Sequence, residues 1–470
     1  MLGVRRPGYA EAARWFAGVA ALAAVILTGL HLYQNHEREP ESGNAAAAEP
    51  AEPQPCADRA VRCHLLSTGV WAVVYPPAAG GPSNTSADRT PEEGDGLVLW
   101  DPGGPGLRPL DAPTVRAILP SWLHRRTVAT FVEPWAVHDI SPACLKAVEK
   151  VSAGGELSEA QVKSWPDAFR NACDIDLYHL DRGEYQESFE ELREREGEIS
   201  GLYAQSFGAV RATAVMPALQ RTGGWTVMDA PAPPPGASAT TLMVERSLAV
   251  EAGLQDVMGC ADGDAPSDCR EKLRGTLRDM GDDDTPGLAG GVEEYERMTA
   301  LFSLSHDLES NKKPLREILT NWPKLTAKDK DIIETGSYKY TRRYGDGQVL
   351  PEFVGYLANV CPAYRGWGSG AGSQERNPLG AALSRMHYPC AVIPGDEDST
   401  WTAPDAAEAP RLLLLTNTTD PVTPPIAAEA WGENYPDADR LDYAYSGHAK
   451  APEELAEKIS AWIAGPAGRP

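Results

Sequence analysis

One turn between an apolar run and a helical run constrains the fold of this chain more than any other feature. Residues 199–203 have the apolar content of a buried strand, and 209–216 is typical of a helix with one buried face. Between them, Ala204-Gln205-Ser206-Phe207-Gly208 forms a small-x-Ser-x-Gly pattern. This pattern predicts a sharp turn whose small residues leave room for a strained serine backbone. Short patterns also occur by chance, so a serine that is simply buried at a strand end is the alternative.

Strand-like and helix-like runs alternate along much of the chain. The β-rich runs lie at 70–75, 97–100, 127–132, 226–228, 411–416 and 441–445, and helical runs lie at 184–196, 426–431 and 452–463. This alternation predicts an α/β fold with a mainly parallel sheet that is flanked by helices.

Residues 235–403 differ from the rest of the chain. They contain helical runs at 243–254, 292–302 and 312–319, four cysteines, many Gly/Asp-rich breaks and no regular series of strands. We interpret this region as a helical cap over the carboxyl edge of the sheet. This cap would be inserted between the two parts of the sheet-forming core, residues 56–234 and residues 404–470.

The amino terminus has the pattern of a membrane or export segment. Arg5, Arg6 and Arg14 precede an apolar run at 15–33, whose length is close to the roughly 20 residues that span a bilayer. The run is longer than the core of a typical signal peptide, so we expect an uncleaved anchor at 1–33, with a cleaved signal as the alternative. Basic residues before it and acidic residues after it place the bulk of the chain outside the cytoplasm. The Ala/Glu/Pro-rich residues 34–55 predict a disordered linker.

Charge and cysteine content limit the partners and the compartment. The net charge of −24 argues against nucleic acid as a partner, because phosphates require Lys/Arg-rich surfaces. The eight cysteines include no C-x-x-C pair, and we expect neither a metal nor a cofactor. Pairing of neighbours along the chain gives Cys56–Cys63, Cys144–Cys173, Cys260–Cys269 and Cys361–Cys390, one of the 105 schemes that eight cysteines allow. Disulfides favour an oxidising compartment, and unrelated buried thiols are the alternative.

Two further residues have the context of partners for a nucleophilic serine. Such a serine needs an imidazole to take its proton and a carboxylate to hold the imidazole. Asp420 follows the predicted strand 411–416, and His448, alone among the nine histidines, follows the predicted strand 441–445. In α/β-hydrolases the order is Ser, then Asp or Glu, then His, each on a loop after a strand. A turn or capping aspartate and a surface histidine are the alternatives.

An early glycine-rich segment occupies the place where such enzymes bind a developing oxyanion. We call Asp101-Pro102-Gly103-Gly104-Pro105-Gly106 the glycine loop. Glycines let backbone amides approach a reacting carbonyl closely, and the amide after the serine supplies a second donor. A phosphate-binding loop is excluded by the missing G-K pair, and a plain Pro/Gly turn is the remaining alternative.

Taken together, these motifs resemble one known family. The glycine loop is similar to the N-P-G-G-P-G segment of the secreted actinobacterial tripeptidyl aminopeptidases, which are relatives of proline iminopeptidase. The stretches Asp420-Pro421-Val422-Thr423-Pro424 and Gly447-His448 resemble the D-x-x-T-P and G-H-G motifs of the same family. Several cysteines also lie about where that family has them: Cys144, Cys260, Cys269, Cys361 and Cys390. The resemblance extends from residue 56 to the end of the chain.

The resemblance implies a serine α/β-hydrolase with a helical cap that removes short peptides from free amino termini. In it Ser206 would be the nucleophile, His448 the base and Asp420 the residue that orients the histidine. The backbone amides of Gly104 and Phe207 would form the oxyanion hole. The expected partner is a short peptide substrate, and the only expected membrane contact is the amino-terminal segment.

Two departures from the family pattern leave other functions open. The family loop D-x-R-G-x-G-x-S corresponds to residues 133–140, where two glycines and the arginine are absent. The Ser-Gly that normally follows the family's glycine loop is replaced by Leu107-Arg108-Pro109. A carboxylic-ester hydrolase is one alternative, because the same triad opens esters. The other alternative is a catalytically silent binding protein with the hydrolase fold.

Overall fold

The computed structural model describes residues 53–77, 96–105, 109–152, 172–173, 178–237, 239–260, 266–281, 294–341, 351–364, 378–385, 390 and 401–465. The predicted anchor at 1–33 and nearly all of the predicted linker at 34–55 lie outside these ranges, as does Gly106 of the glycine loop. No helix within the described ranges combines the length and the apolar character needed to cross a bilayer.

A single sheet forms the centre of the described chain. Its strands are β1 (Arg62–Leu65), β2 (Trp71–Tyr75), β3 (Leu97–Asp101), β4 (Val128–Val132), β5 (Ile199–Gln205), β6 (Trp225–Asp229), β7 (Arg411–Asn417) and β8 (Asp439–Tyr443). They are arranged in the order β1-β2-β4-β3-β5-β6-β7-β8. The β1–β2 and β2–β4 pairs are antiparallel, and all pairs from β4 to β8 are parallel. This is the arrangement of the α/β-hydrolase fold, and the predicted mainly parallel sheet flanked by helices is confirmed.

The apolar runs form strands because the sheet is covered on both faces. Every residue of β3 and of β6 is buried, as expected for central parallel strands. Side chains alternate between the faces: Leu202 of β5 packs in one hydrophobic cluster and Tyr203 in another. The last strand begins and ends two residues before the predicted 441–445 run. Strand β1 was not predicted because its sequence, Arg-Cys-His-Leu, has little apolar content.

Fourteen helices of the described chain surround the sheet. Those before the cap region are α1 (Ala112–Ile118), α2 (Pro142–Ser152), α3 (Arg182–Glu196), α4 (Gly208–Ala212) and α5 (Met216–Arg221). Those of the cap region are α6 (Ala239–Met258), α7 (Pro266–Met280), α8 (Glu294–Ser305), α9 (Leu308–Asn321), α10 (Ala327–Thr341), α11 (Pro351–Ala363) and α12 (Pro378–Arg385). The last two are α13 (Pro425–Asn434) and α14 (Ala456–Ala464).

The predicted helix at 209–216 is two helices, α4 and α5. Pro217 lacks a backbone N–H, and its ring clashes with the carbonyl four residues earlier in a continuous helix. The chain therefore turns after Ala212 and begins again with Pro217 in the first turn of α5. At the break, Thr213 Oγ1 donates to the Val210 carbonyl at 2.6 Å.

The cap helices share a hydrophobic core with the sheet. The described part of 235–403 contains α6–α12 and no strand. Leu254 of α6 and Met298 of α8 belong to the same buried cluster as Leu99 of β3 and Leu202 of β5. The helices of this region therefore extend the hydrophobic cluster on one face of the sheet, and Ile459 of α14 belongs to the cluster on the other face.

All eight cysteines form disulfides, in the four predicted pairs. The bonds are Cys56–Cys63, Cys144–Cys173, Cys260–Cys269 and Cys361–Cys390. Four disulfides are typical of a protein that folds in an oxidising compartment outside the cytoplasm.

Candidate active site

The turn at Ser206 has the strained backbone that the sequence predicts. Ser206 follows β5 with a φ of 51°, in the left-handed region that costs a residue with a side chain about 1–2 kcal/mol. Its amide donates to the carbonyl of Asp229 at 3.0 Å, and its carbonyl accepts from the amide of Ala232 at 2.9 Å. These two hydrogen bonds to the loop after β6 hold Ser206 at the carboxyl end of β5.

Two glycines allow the glycine loop to lie against this turn. A Cβ on Gly103 would lie 2.4 Å from the carbonyl oxygen of Gln205 and 2.9 Å from Ser206 Cβ. A Cβ on Gly208 would lie 2.7 Å from the carbonyl oxygen of Asp101. Larger residues at either position would separate the loop from the serine, so the close approach requires glycine.

Asp420 and His448 form the predicted pair. Asp420 follows β7 and is completely buried, and its Oδ2 lies 2.8 Å from His448 Nδ1. Its other oxygen accepts from the amides of Val422 at 2.7 Å and Thr423 at 2.9 Å, which fixes the carboxylate. A proton on Nδ1 directed at Asp420 leaves the lone pair of His448 on Nε2, the nitrogen that acts as a base in such triads.

The loops that carry the three predicted triad residues meet at one edge of the sheet. Gln205, next to Ser206, donates through Nε2 to the carbonyl of Ala449, next to His448, at 3.2 Å. Thr423 Oγ1, in the Asp420 loop, donates to the carbonyl of Ala230 at 2.9 Å. Within the described part of the chain, no hydrogen bond joins the Ser206 hydroxyl to His448 Nε2. Catalytic hydrogen bonds are often long in unliganded enzymes and shorten when substrate binds.

Two backbone amides beside Ser206 have no hydrogen-bond partner within the described ranges. They belong to Gly104 and Phe207, the two residues predicted to form an oxyanion hole. Their neighbours are paired, because Gly103 N donates to Asp101 Oδ1 at 2.9 Å and Ser206 N donates to the Asp229 carbonyl. Within the described residues, no acceptor competes with a ligand oxygen for these two amides.

A buried charge cluster lies beneath the glycine loop, and no local pattern in the sequence indicates it. Arg211 of α4 donates to Asp101 through Nε and Nη2, both at 2.8 Å, and to Glu133 through Nη1 at 3.0 Å. Tyr185 donates to Asp101 Oδ2 at 2.9 Å. Burial alone would lower the pKa of Arg211, but the two carboxylates, chiefly Asp101, raise it above its ordinary value. The guanidinium is therefore charged at all ordinary pH values.

The first residue of the 133–140 loop belongs to this cluster. Glu133, the first residue of the altered 133–140 loop, faces the guanidinium of Arg211 and accepts from Trp135 Nε1 at 2.7 Å. Trp135 is buried against α11, where a Cβ on Gly355 would lie 2.3 Å from its ring. In this chain the cation is on the helix after Ser206 and the acid is on the loop. The unusual composition of residues 133–140 is visible in the sequence, but the sequence does not show that Arg211 is the partner of this loop.

A second carboxylate, Asp229, follows β6 just as Asp420 follows β7. Asp229 is completely buried and accepts hydrogen bonds from Tyr203 at 2.8 Å and Tyr443 at 2.7 Å. Burial raises the pKa of Asp229 more than these two hydroxyls lower it. Since both of its oxygens are occupied by tyrosines, while Asp420 contacts the imidazole, the structure pairs His448 with Asp420.

The cap region contacts the histidine loop directly. The amide of His448 donates to the carbonyl of His306 at 2.8 Å. The centres of the two imidazole rings lie 6.0 Å apart, in an edge-to-face arrangement. Asp307 forms a β-bridge with Gly447 and accepts from the hydroxyl of Tyr445 at 3.3 Å. The connection between α8 and α9 is therefore part of the wall that holds His448.

Comparisons with known proteins identify part of the chain. Residues 376–458 match the α/β-hydrolase family described as TAP-like protein. No curated protein matches the chain. No group of His, Cys, Asp and Glu side chains within the described ranges is arranged to hold a metal ion.

Several solved structures are similar to this chain at low sequence identity. Proline iminopeptidase of Mycobacterium smegmatis is 14% identical with a TM-score of 0.40, over 86% of this chain and 97% of that chain. An acetylester hydrolase from Corynebacterium glutamicum is 9% identical with a TM-score of 0.37, over 85% of this chain and 92% of that chain. An esterase from Rhodococcus is 10% identical with a TM-score of 0.36, over 86% of this chain and 98% of that chain. The α/β-hydrolase fold of this chain follows from the order and direction of its strands, and its segment 376–458, which contains Asp420 and His448, matches the TAP-like family.

Proposed function

We propose that this protein is a serine hydrolase in which Ser206, His448 and Asp420 form the catalytic triad. The observation that carries the proposal is the Asp420–His448 hydrogen bond, on loops adjoining a serine held in a left-handed turn between a strand and a helix. These are the elements that nucleophilic catalysis by serine requires.

In the proposed reaction the Ser206 hydroxyl attacks the substrate carbonyl, and His448 Nε2 accepts the proton. Asp420 stabilises the imidazolium that forms. The amides of Gly104 and Phe207 donate to the oxyanion of the tetrahedral intermediate. His448 then protonates the leaving group, and water hydrolyses the acyl-enzyme by the same steps.

The proposed substrate is a short peptide with a free amino terminus, which makes the protein an exopeptidase. The match of 376–458 to the TAP-like family supports this choice, together with the resemblance of the glycine loop and the D-x-x-T-P motif to tripeptidyl aminopeptidases. The net charge of −24 attracts cationic groups such as peptide amino termini. We further propose an extracytoplasmic location with residues 1–33 as the anchor, supported by the four disulfides and the charges that flank 15–33.

Labelling with a fluorophosphonate probe tests the triad. We expect the wild-type chain to be labelled at Ser206, because the probe reacts with serines that an adjacent base activates. Ser206→Ala should lose the label completely. Ser267→Ala, which changes an exposed serine on α7, should be labelled like the wild type. The measurement is in-gel fluorescence, with the labelled peptide identified by mass spectrometry.

Two outcomes would contradict the proposal. An unlabelled wild-type chain would favour a silent binding protein with the hydrolase fold, and equal labelling of Ser206→Ala would place the nucleophile elsewhere. Peptidyl amides with free and with blocked amino termini then test the substrate. Equal cleavage of both would contradict the requirement for a free amino terminus, and turnover restricted to simple esters, amino-blocked ones included, would indicate an esterase.

A further inference from the structure

The peptide group between Gly103 and Gly104 is held from one side by an arginine. Arg211 Nη2 donates to the carbonyl oxygen of Gly103 at 2.7 Å. The carbonyl of Gly103 and the N–H of Gly104 belong to this same peptide group, which is trans, so they point in opposite directions. The contact with Arg211 therefore turns the Gly104 N–H away from the guanidinium.

Glycine alone would not keep this peptide group in one orientation. Gly103 and Gly104 have φ values of 80° and 96°, and glycine populates positive and negative φ with similar ease. A rotation of the peptide plane would exchange the positions of its N–H and its carbonyl at low conformational cost. The hydrogen bond from Arg211 to Gly103 O opposes this rotation directly. The bond from Gly103 N to Asp101 Oδ1 fixes the preceding peptide group, from which the rotation would start.

Arg211 is itself held from several sides. Its side chain is 4% exposed and it forms ion pairs with Asp101 and Glu133, whose side chains are 5% and 6% exposed. Its guanidinium also lies 5.3 Å from the ring centre of Phe207, whose amide, like that of Gly104, has no partner among the described residues. Since buried ion pairs add little net stability compared with apolar residues of similar volume, stability alone does not account for this cluster.

We propose that Arg211 is a positioning residue that sets the oxyanion hole, and that Glu133 and Asp101 hold it for this purpose. The inference rests on the proposed function. Arg211 fixes the Gly103 carbonyl so that the Gly104 N–H points toward the substrate oxygen. A hydrogen bond from a charged donor is stronger than a neutral one and polarises the peptide group, which makes the Gly104 N–H a better donor to the oxyanion.

The test compares the chemical step with binding in the variant Arg211→Met/Glu133→Gln. This pair of changes removes the cation together with one of the carboxylates that it neutralises. The labelling kinetics of the fluorophosphonate probe separate its non-covalent affinity from the rate of the covalent step. We expect the covalent rate and the turnover of p-nitrophenyl acetate to fall about 10²-fold, as when one oxyanion donor is lost. The non-covalent affinity should change less than about threefold, because the probe's ground state does not use the oxyanion hole.

Two further variants serve as controls. Arg221→Met removes an arginine that is 63% exposed and should leave both quantities unchanged. Arg211→Lys keeps a positive charge, but an ammonium lacks the planar fork that reaches Asp101, Glu133 and Gly103 together. We therefore expect Arg211→Lys to lower the covalent rate at least about tenfold and to keep the wild-type circular dichroism spectrum. If the double variant does not fold, Arg211→Lys takes its place in the test.

The outcomes separate this inference from the proposed function. A wild-type chain that does not react with the probe contradicts the proposed function itself. A reactive wild type with folded Arg211 variants that keep their covalent rate within about threefold overturns only the role of Arg211. A fall in probe affinity that matches the fall in rate would also overturn it, because it would indicate a general distortion of the site.

Discussion

At the scale of single residues, the site is decided by which carboxylate reaches the imidazole. Asp229 and Asp420 are both completely buried, and both follow a parallel strand. Asp229 accepts hydrogen bonds from the hydroxyls of Tyr203 and Tyr443, whereas Asp420 accepts from His448 Nδ1. Sequence position alone does not distinguish them, because the difference lies in which side chains the sheet brings opposite each carboxylate.

Substitution of each aspartate by asparagine tests this assignment. We expect Asp420→Asn to lower kcat about 10³–10⁴-fold, because an amide favours the wrong tautomer of the histidine. Asp229→Asn is the matched control and should lower kcat less than about tenfold, since it does not contact the imidazole. The measurement is the hydrolysis of p-nitrophenyl acetate at neutral pH. The opposite ranking would assign the triad carboxylate to the loop after β6.

At the scale of elements, the connection between α8 and α9 supports the histidine loop. Its His306 carbonyl accepts from the His448 amide, and Asp307 also caps α9 by accepting from the amide of Ser310 at 3.1 Å. A Cβ on Gly447 would lie 2.5 Å from the His306 carbonyl oxygen. The connection between α8 and α9 therefore contributes to the position of His448.

A methyl group at Gly447 tests this contact. We expect Gly447→Ala to lower kcat/KM about 10²-fold, because a displacement of the base by about 1 Å has an effect of that size. Gly432→Ala is the matched control, since an added Cβ there meets nothing within 4 Å. It lies in α13 and should leave activity unchanged while stabilising the protein by about 0.5–1 kcal/mol. Full activity of Gly447→Ala would show that the histidine loop does not depend on this contact.

At the scale of the whole molecule, disulfides and a shared core hold distant parts of the chain together. The Cys144–Cys173 bond joins residues 29 apart and the Cys56–Cys63 bond joins residues 7 apart. A cross-link that closes a longer loop removes more conformational entropy from the unfolded chain. Cys144 and Cys173 are also buried beside Phe353 of α11.

Removal of these disulfides one at a time tests the difference. Replacing Cys144 and Cys173 by Ala should lower the free energy of unfolding by about 3.6 kcal/mol from loop entropy alone. The same change at Cys56 and Cys63 should lower it by about 2.5 kcal/mol. Equilibrium denaturation without reductant measures both. A larger loss for the Cys56–Cys63 pair would contradict the argument from loop length.

The sequence by itself determined the parallel part of the sheet and the order of the candidate triad, and the pairing of neighbouring cysteines agrees with the four disulfides. Buried strands in α/β proteins are short apolar runs, and the pattern around Ser206 is local, so neither needs distant information. Two local features were still missed: the break at Pro217 and the polar strand β1.

Only the tertiary structure decided which residues support the site. Arg211 and Glu133 are 78 residues apart in sequence, and Asp229 and Tyr443 are 214 apart. Each pair meets because parallel strands bring their carboxyl ends to one edge of the sheet. A buried charge is stabilised by whatever partner the fold places beside it, and no local pattern in the sequence records that partner.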